Sequence, residues 1–407
     1  MSYQGIHIPS QWSEAAESIT FASPPSHPPI IFICGPKNTG KSTFARHLVN
    51  VLLQRHTQVA HLDTDVGQPE FTPPGCLSLH VLHEQSKGTF SPAQSTNLIS
   101  LSLSLSPNPS PLSSNLTVVS IKTPLRCHFF GDISSKRDPK AYLDRIFHLY
   151  DYFHKEHRFK KLEKSGKSVP PLVINTPGWV KGIGYDLLVD MIKYMKPTHV
   201  VQIRTTSENK NLPYGAFWSD GTLEENVNLI DLFAPCTDSF NQTVLIQKQA
   251  LTLRDNRIIA YFQQCVPIGM NISTRKELAH ALASIPPYEV SISGTKVLHL
   301  HCNVPSSEIF HSLNATIVGL AVSSSEPTGS RNHLPWCVGL GIVRGVDLVK
   351  DLLYVITPVP LCHLEKVDLL LQGLIRIPTC LLQVRGCMCP YMSTNVLNKL
   401  DPSGMSS

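Results

Sequence analysis

PIIFIC (29–34), GPKNTGKS (35–42) and TFARHLVNVLLQRH (43–56) follow one another without a break. The first is a continuous apolar run of strand length. The last carries Phe44, Leu48 and Leu52 at helical spacing. Between them, Gly35-Pro36-Lys37-Asn38-Thr39-Gly40-Lys41-Ser42, continued by Thr43, matches G-x-x-x-x-G-K-[ST] in the strand–turn–helix context that pattern requires. Gly35 and Gly40 let successive backbone N–H groups curl toward one cavity, and the helix dipole adds positive potential there. Lys41 then reaches the outer phosphates of a bound nucleotide, and the Ser42 hydroxyl is a Mg2+ ligand.

Working outward, QVAHLD (58–63) is a second β-rich run, so residues 29–63 have the length of a βαβ crossover with parallel strands. HLDTDVGQPEFTPPG (61–75) leaves its end, which the reading sets beside the phosphate loop. One of the two carboxylates, Asp63 or Asp65, is positioned to hold the metal or to accept a proton from an attacking hydroxyl. PLVINT (171–176) and THVVQI (198–203) flank a helical stretch from about Gly184 to Met195, and DPKAYLDRIFHLYDYFHKEH (138–157) reads as an amphipathic helix with Pro139 in its first turn. The fold class is therefore α/β: a P-loop parallel sheet with helices on both faces, followed by a smaller, mostly β C-terminal domain.

The domain reading is a linker-like segment at 1–28, a P-loop domain at 29–285, a β-rich domain at 286–400 and a flexible tail at 401–407. The β-rich character rests on VSISGTKVLHLHCNV, ATIVGLAV, CVGLGIVRGV and LLYVITPV. ISLSLSLSPNPSPLSSN (99–115) alternates Leu and Ser before becoming low-complexity loop.

Composition narrows the classes further. Of 407 residues 42% are hydrophobic and 16% charged, and 35 Lys+Arg against 30 Asp+Glu give +5. That excludes a disordered polyelectrolyte and permits an anionic partner. The N-terminus lacks a basic and an apolar region, and no 18-residue apolar run occurs, so neither a signal peptide nor a membrane span is expected. Eleven scattered cysteines fit a reducing compartment, and Cys387/Cys389 lacks the second half-site of structural zinc. A guanine-reading N-K-x-D is missing, since Asn209-Lys210-Asn211-Leu212 has no aspartate; ATP or a base-tolerant site follows.

Three further features stay open on residues alone. Trp179, after the third apolar run, is either a packing residue or a stacking platform for a nucleobase. Arg254 and Arg257 share one helix face, as a solvated surface or as mobile arginines for a transferring phosphate. Lys155 to Lys167 holds six Lys/Arg against two Glu, as a phosphate track or a solvated loop.

CGPKNTGKSTF (34–44), LDTDVGQPEFTPPG (62–75), HFFGDIS (128–134), INTPGWVKGIGY (174–185) and LRDNRIIAYF (253–262) together resemble the polynucleotide 5′-hydroxyl kinases. The likeness is closer to the nucleolar pre-rRNA-processing branch than to the mRNA-cleavage and tRNA-splicing kinases. It implies transfer of the γ-phosphoryl of ATP to the 5′-OH of RNA or DNA, with Mg2+, in the nucleus and nucleolus. It further implies Lys41 on the phosphates, Ser42 and Asp65 on the metal, Asp65 also at the 5′-OH, and Gln68 close by. Thr176, Gly178 and Trp179 would form a clasp over the terminal nucleotide, with Arg254 and Arg257 on a lid. An endoribonuclease that leaves 5′-OH ends is the implied partner, and no membrane is involved. The alternative is a catalytically silent ATP-bound scaffold of an RNA-processing complex. Family members usually carry a further N-terminal domain, whereas 28 residues precede the first strand here.

Overall fold

The computed structural model describes residues 8–22, 27–83, 121–159, 169–219, 227–235, 243–267, 269–270, 272–323 and 334–382. The Leu/Ser stretch at 99–115, most of the basic run, Cys387, Cys389 and the 401–407 tail lie outside them. In chain order the elements are α1 (Ser10–Ala22), β1 (Ile30–Cys34), α2 (Lys41–Leu52), β2 (Val59–Asp63), β3 (Cys76–Leu82), β4 (Arg126–Phe129), α3 (Pro139–Phe153), β5 (Leu172–Asn175), α4 (Ile183–Met195), β6 (His199–Arg204) and β7 (Asn228–Phe233). They continue with α5 (Thr243–Gln263), α6 (Arg275–Ser284), β8 (Tyr288–Ser291), β9 (Lys296–His299), β10 (Thr316–Val322), β11 (Trp336–Asp347), β12 (Leu352–Ile356) and β13 (Leu369–Gln372). None of the described helices is long and apolar enough to cross a membrane.

Contacts divide the chain into two units. The first comprises Met1–Asp65, Ser78–Ser114 and Pro139–Asn241; the second Val66–Leu77, Asn115–Asp138 and Gln242–Ser407. This division differs from the expected boundary near residue 285, because α5 and α6 bury their apolar faces among second-unit residues. Ile258, Ile259, Phe262, Leu278 and Leu282 share one cluster with Phe129, Ile317 and Leu340.

In the first unit the strands run β3-β2-β5-β1-β6-β7. β5 and β6 flank β1, both parallel to it, with Ile33 opposite Asn175 and Cys34 opposite Gln202. β2 is parallel to β5, and β3 is antiparallel to β2. The central strands are buried along their whole length, as continuous apolar runs in a covered parallel sheet must be. The βα alternation holds, but the end of β2 does not lie beside β1: β5 is inserted between them and brings Asn175 with it. Tyr142, Ile146, Leu149, Tyr150 and Phe153 form the buried stripe of α3, which packs on α4.

The linker expected at 1–28 is corrected over Ser10–Ala22, which form α1. Trp12, Ala16, Ile19 and Thr20 are buried along one face, against α2 and β7. The Trp12 ring meets Phe44 edge-on at 5.6 Å, its Nε1 donates to the Phe233 carbonyl at 3.0 Å, and Arg55 donates to the Thr20 carbonyl at 2.6 Å. Spacings of four and three residues make a helical stripe, so this element contributes core despite its polar surroundings in sequence.

The second unit carries the expected β-rich part: a six-stranded sheet in the order β8-β12-β11-β10-β13-β9, antiparallel except for β13 with β9. β4 lies on β11.

Candidate nucleotide and phosphoryl-transfer site

The loop from Gly35 to Ser42 closes on itself. Thr39 Oγ1 donates to the Pro36 carbonyl at 3.0 Å and Lys41 Nζ to the same oxygen at 2.6 Å. Gly40, the N-cap of α2, has φ +90°, a conformation that costs any residue with a Cβ. A Cβ there would also lie 2.6 Å from Trp12 Cη2. Among the described residues no side chain caps this helix, and its first turn holds no acid, which leaves N–H donors and the positive end of the dipole for an anion.

Lys41 is buried, and burial pulls its ammonium down from 10.5 to about 8, with Asp65 partly opposing the shift and Lys37 reinforcing it. Among the described residues Asp65 is the carboxylate acting on this buried cation, and a polyphosphate would add counter-charge.

The chain ends of β2 and β5 add a row of polar groups. Asn175 Nδ2 donates to Asp63 Oδ1 at 3.1 Å and approaches Ser42 Oγ at 3.4 Å. The Asp65 backbone N–H donates to Asp63 Oδ1 at 3.2 Å. Asp63 is fully buried and fixes the turn, and Asp65 is half-buried. Tyr142 steadies the same turn by donating to the Thr64 carbonyl at 2.7 Å.

Of the clasp residues, Thr176 is fully buried and donates to the Ile33 carbonyl at 2.8 Å. It ties the end of β5 to β1. Gly178 lies against the loop, where a Cβ would come within 2.5 Å of Lys37 Cα. Trp179 is half-buried, its ring against Gly184 in the first turn of α4. The structure therefore brings Gly35 to Thr43, Asp65, Thr176, Gly178 and Trp179 together in one unit.

Gln68, Arg254 and Arg257 belong to the second unit. There Arg257 donates to the Glu70 carbonyl, close in sequence to Gln68. Burial raises the Asp255 carboxyl while Arg275 and Arg254 oppose that rise.

Sequence reasoning passed over Asn175 and Trp12. The signal for Asn175 was a polar residue ending an otherwise apolar strand; for Trp12 it was the stripe shared with Ala16 and Ile19. The described residues contain no group of three or more His, Cys, Asp or Glu suited to a metal.

A phosphate-binding loop on a mostly parallel sheet, with a lysine in the loop and a half-buried carboxylate after a strand end, defines a P-loop phosphotransfer fold. Comparison with known proteins agrees. The family model described as mRNA cleavage and polyadenylation factor CLP1 P-loop matches residues 35–93 and 89–264. That described as NOL9-like, C-terminal domain matches 283–378. Polynucleotide 5′-hydroxyl-kinase NOL9 of Arabidopsis thaliana is 53% identical over 390 residues, 96% of each chain. The proteins of the same name in Danio rerio and Homo sapiens are each 28% identical, covering 98% and 91% of this chain and 54% and 53% of theirs. The chain thus spans nearly all of the plant relative and about half of the vertebrate ones. It belongs to the NOL9 family of polynucleotide 5′-hydroxyl kinases. Among solved structures, the wild-type Clp1p–Pcf11p complex shares the fold at 15% identity, with TM-score 0.57 over 89% of this chain and 77% of that one.

Proposed function

We propose that this chain transfers the γ-phosphoryl group of ATP to the 5′-hydroxyl of an RNA strand during pre-rRNA processing in the nucleolus. One observation carries the reading: Lys41, buried and in electrostatic contact with Asp65, sits at an uncapped helix start beside the Ser42–Asn175–Asp63 row. A scaffold that only binds has no need of a carboxylate beside the phosphate lysine. Homologous kinases and five ordered motifs support the same conclusion.

Little covalent work falls to the protein in such a transfer; it positions the partners and neutralises charge. Lys41 exchanges the Pro36 carbonyl for phosphate oxygens. The loop N–H groups hold the tail, and Asp65 orients the 5′-hydroxyl and accepts its proton. Trp179, held against Gly184, stacks on the terminal base. The residues fit Mg2+: Ser42 and the carboxylates are hard oxygen donors, and Asn175 Oδ1 is buried with no hydrogen-bond partner among the described residues. Ser42 and Asp65 would hold the ion, which when bound supplies positive charge against the phosphate oxygens. The resemblance assigns the lid role to Arg254 and Arg257 and a neighbouring role to Gln68; single substitutions read by kcat and KM test each.

A 5′-hydroxyl end is what cleavage leaving a 2′,3′-cyclic phosphate generates, so an endoribonuclease is the proposed partner. The deciding experiment is transfer of label from γ-labelled ATP to 5′-hydroxyl oligonucleotides, RNA and DNA in parallel. Transfer is expected, and Lys41→Ala and Asp65→Asn should each abolish it. No transfer to any end by a protein that still binds ATP would leave the scaffold reading in its place.

A further inference from the structure

At the carboxyl end of β6 a buried arginine supports an exposed tyrosine. The Arg204 guanidinium carbon lies 3.6 Å from the centroid of the Tyr214 ring. Arg204 is 2% exposed and Tyr214 66% exposed, so one ring face covers the cation and the other is open. Among the described residues Arg204 Nε and Nη1 are buried without a hydrogen-bond partner, and Asp231 approaches Nη1 only to 3.7 Å.

The segment carrying Tyr214 is pinned. Arg204 Nη2 donates to the Leu212 carbonyl at 3.1 Å, and Gln202 Nε2 to the Leu212 and Pro213 carbonyls at 3.3 Å each. Asn211 closes the preceding turn by accepting from the Thr205 N–H at 2.8 Å and donating to the Thr205 carbonyl at 2.9 Å. An aromatic ring fixed this way loses little freedom when a second ring stacks on it.

Position in the sheet says which ring that is. The connection from β1 leads toward β2, while that from β6 leads to β7 on the other side, so the carboxyl ends of β1 and β6 bound a topological switch point, where open α/β sheets bind ligands. Gly35, the first residue of the phosphate loop, packs against β6; a Cβ there would stand 2.2 Å from the Ile203 carbonyl oxygen. Arg204 is the next residue. Asp65 and Trp179 follow β2 and β5, and Asn175 ends β5, on the opposite side of β1. A triphosphate whose γ end meets Asp65 must extend its base toward β6.

We propose that Tyr214, backed by Arg204, is the platform on which the base of the bound nucleoside triphosphate stacks. The inference rests on the P-loop reading of Gly35 to Ser42 and adds a base site to it. Stacking without hydrogen-bond readout accepts any nucleobase, in keeping with the missing guanine-reading motif.

The test measures equilibrium binding of ATP, inorganic tripolyphosphate and a 5′-hydroxyl RNA oligonucleotide to the full chain and its variants. Tyr214→Ala should weaken ATP about ten- to a hundredfold, leaving tripolyphosphate and RNA unchanged, and Tyr214→Phe should retain parental ATP affinity. Unaltered ATP binding by Tyr214→Ala would overturn the proposal. Equal losses of ATP and tripolyphosphate would also overturn it, by showing damage to the phosphate loop, as would a loss confined to RNA. Lys41→Ala serves as the separate control: if it kept full affinity for both ATP and tripolyphosphate, the P-loop reading would fail instead.

Discussion

Replacing Trp12 by alanine tests whether the N-terminal helix belongs to the nucleotide-binding unit. The side chain is 1% exposed, meets Phe44 edge-on, and satisfies the Phe233 carbonyl. Truncating a fully buried tryptophan costs about 3–5 kcal/mol, and the orphaned carbonyl places this site toward the upper part of that range. For a unit of this size the loss corresponds to a fall of roughly 10 °C in melting temperature. Urea denaturation followed by circular dichroism, with Trp12→Phe alongside, measures it; the phenylalanine variant should recover part of the loss, since it keeps part of the apolar contact and forfeits the indole N–H and some ring volume. Nucleotide affinity should fall as well, because the same ring abuts Gly40 at the start of α2. A linker residue would behave otherwise. A change below about 0.5 kcal/mol, the range of ordinary surface substitutions, would refute the packing argument.

Lys41 should impose a pH signature. Its ammonium titrates near 8 in the ligand-free fold against 10.5 unfolded, so between those values the unfolded chain binds more protons and stability rises with pH. Tripolyphosphate requires the charged form; affinity should fall by up to about tenfold per pH unit above 8, with proton uptake on binding at pH 9 seen by calorimetry in buffers of different ionisation enthalpy. A flat profile would contradict the buried-cation picture. Asn175→Ala removes the bridge between Asp63 and Ser42 and should cost about 1–3 kcal/mol of stability while raising the Mg2+ concentration needed for half-maximal transfer; an unchanged Mg2+ response would remove Asn175 from the metal's surroundings. In Gly178→Ala the new methyl would press on Lys37 Cα, so the KM for ATP should rise severalfold, and parental kinetics would show that the clasp and loop do not touch.

The legible part of the site was the part written locally. A glycine-bounded turn between an apolar run and a helical stripe identifies itself, because strand length, turn chemistry and helical period are properties of neighbouring residues. Asp65 could be named as a candidate for the same reason, as a carboxylate leaving a strand. Thr176 was assigned to the substrate by its place in a motif, yet the register of β5 against β1 turns its hydroxyl to Ile33. Asn175 stood in plain view, but its partners Ser42 and Asp63 are each more than a hundred residues away in sequence.

What the sequence determined by itself is the kind of protein: the α/β alternation, the phosphate loop, the ordered motifs of a 5′-hydroxyl kinase, and a β-rich C-terminal part. What the tertiary structure alone decided is which strand borders β1, which unit holds α5 and its arginines, how far Lys41 is desolvated, and that α1 is core. The reason is physical. Periodicity and turn propensity act over a few residues, whereas strand order and burial depend on segments far apart in the chain, whose pairing is selected by the packing of the whole sheet.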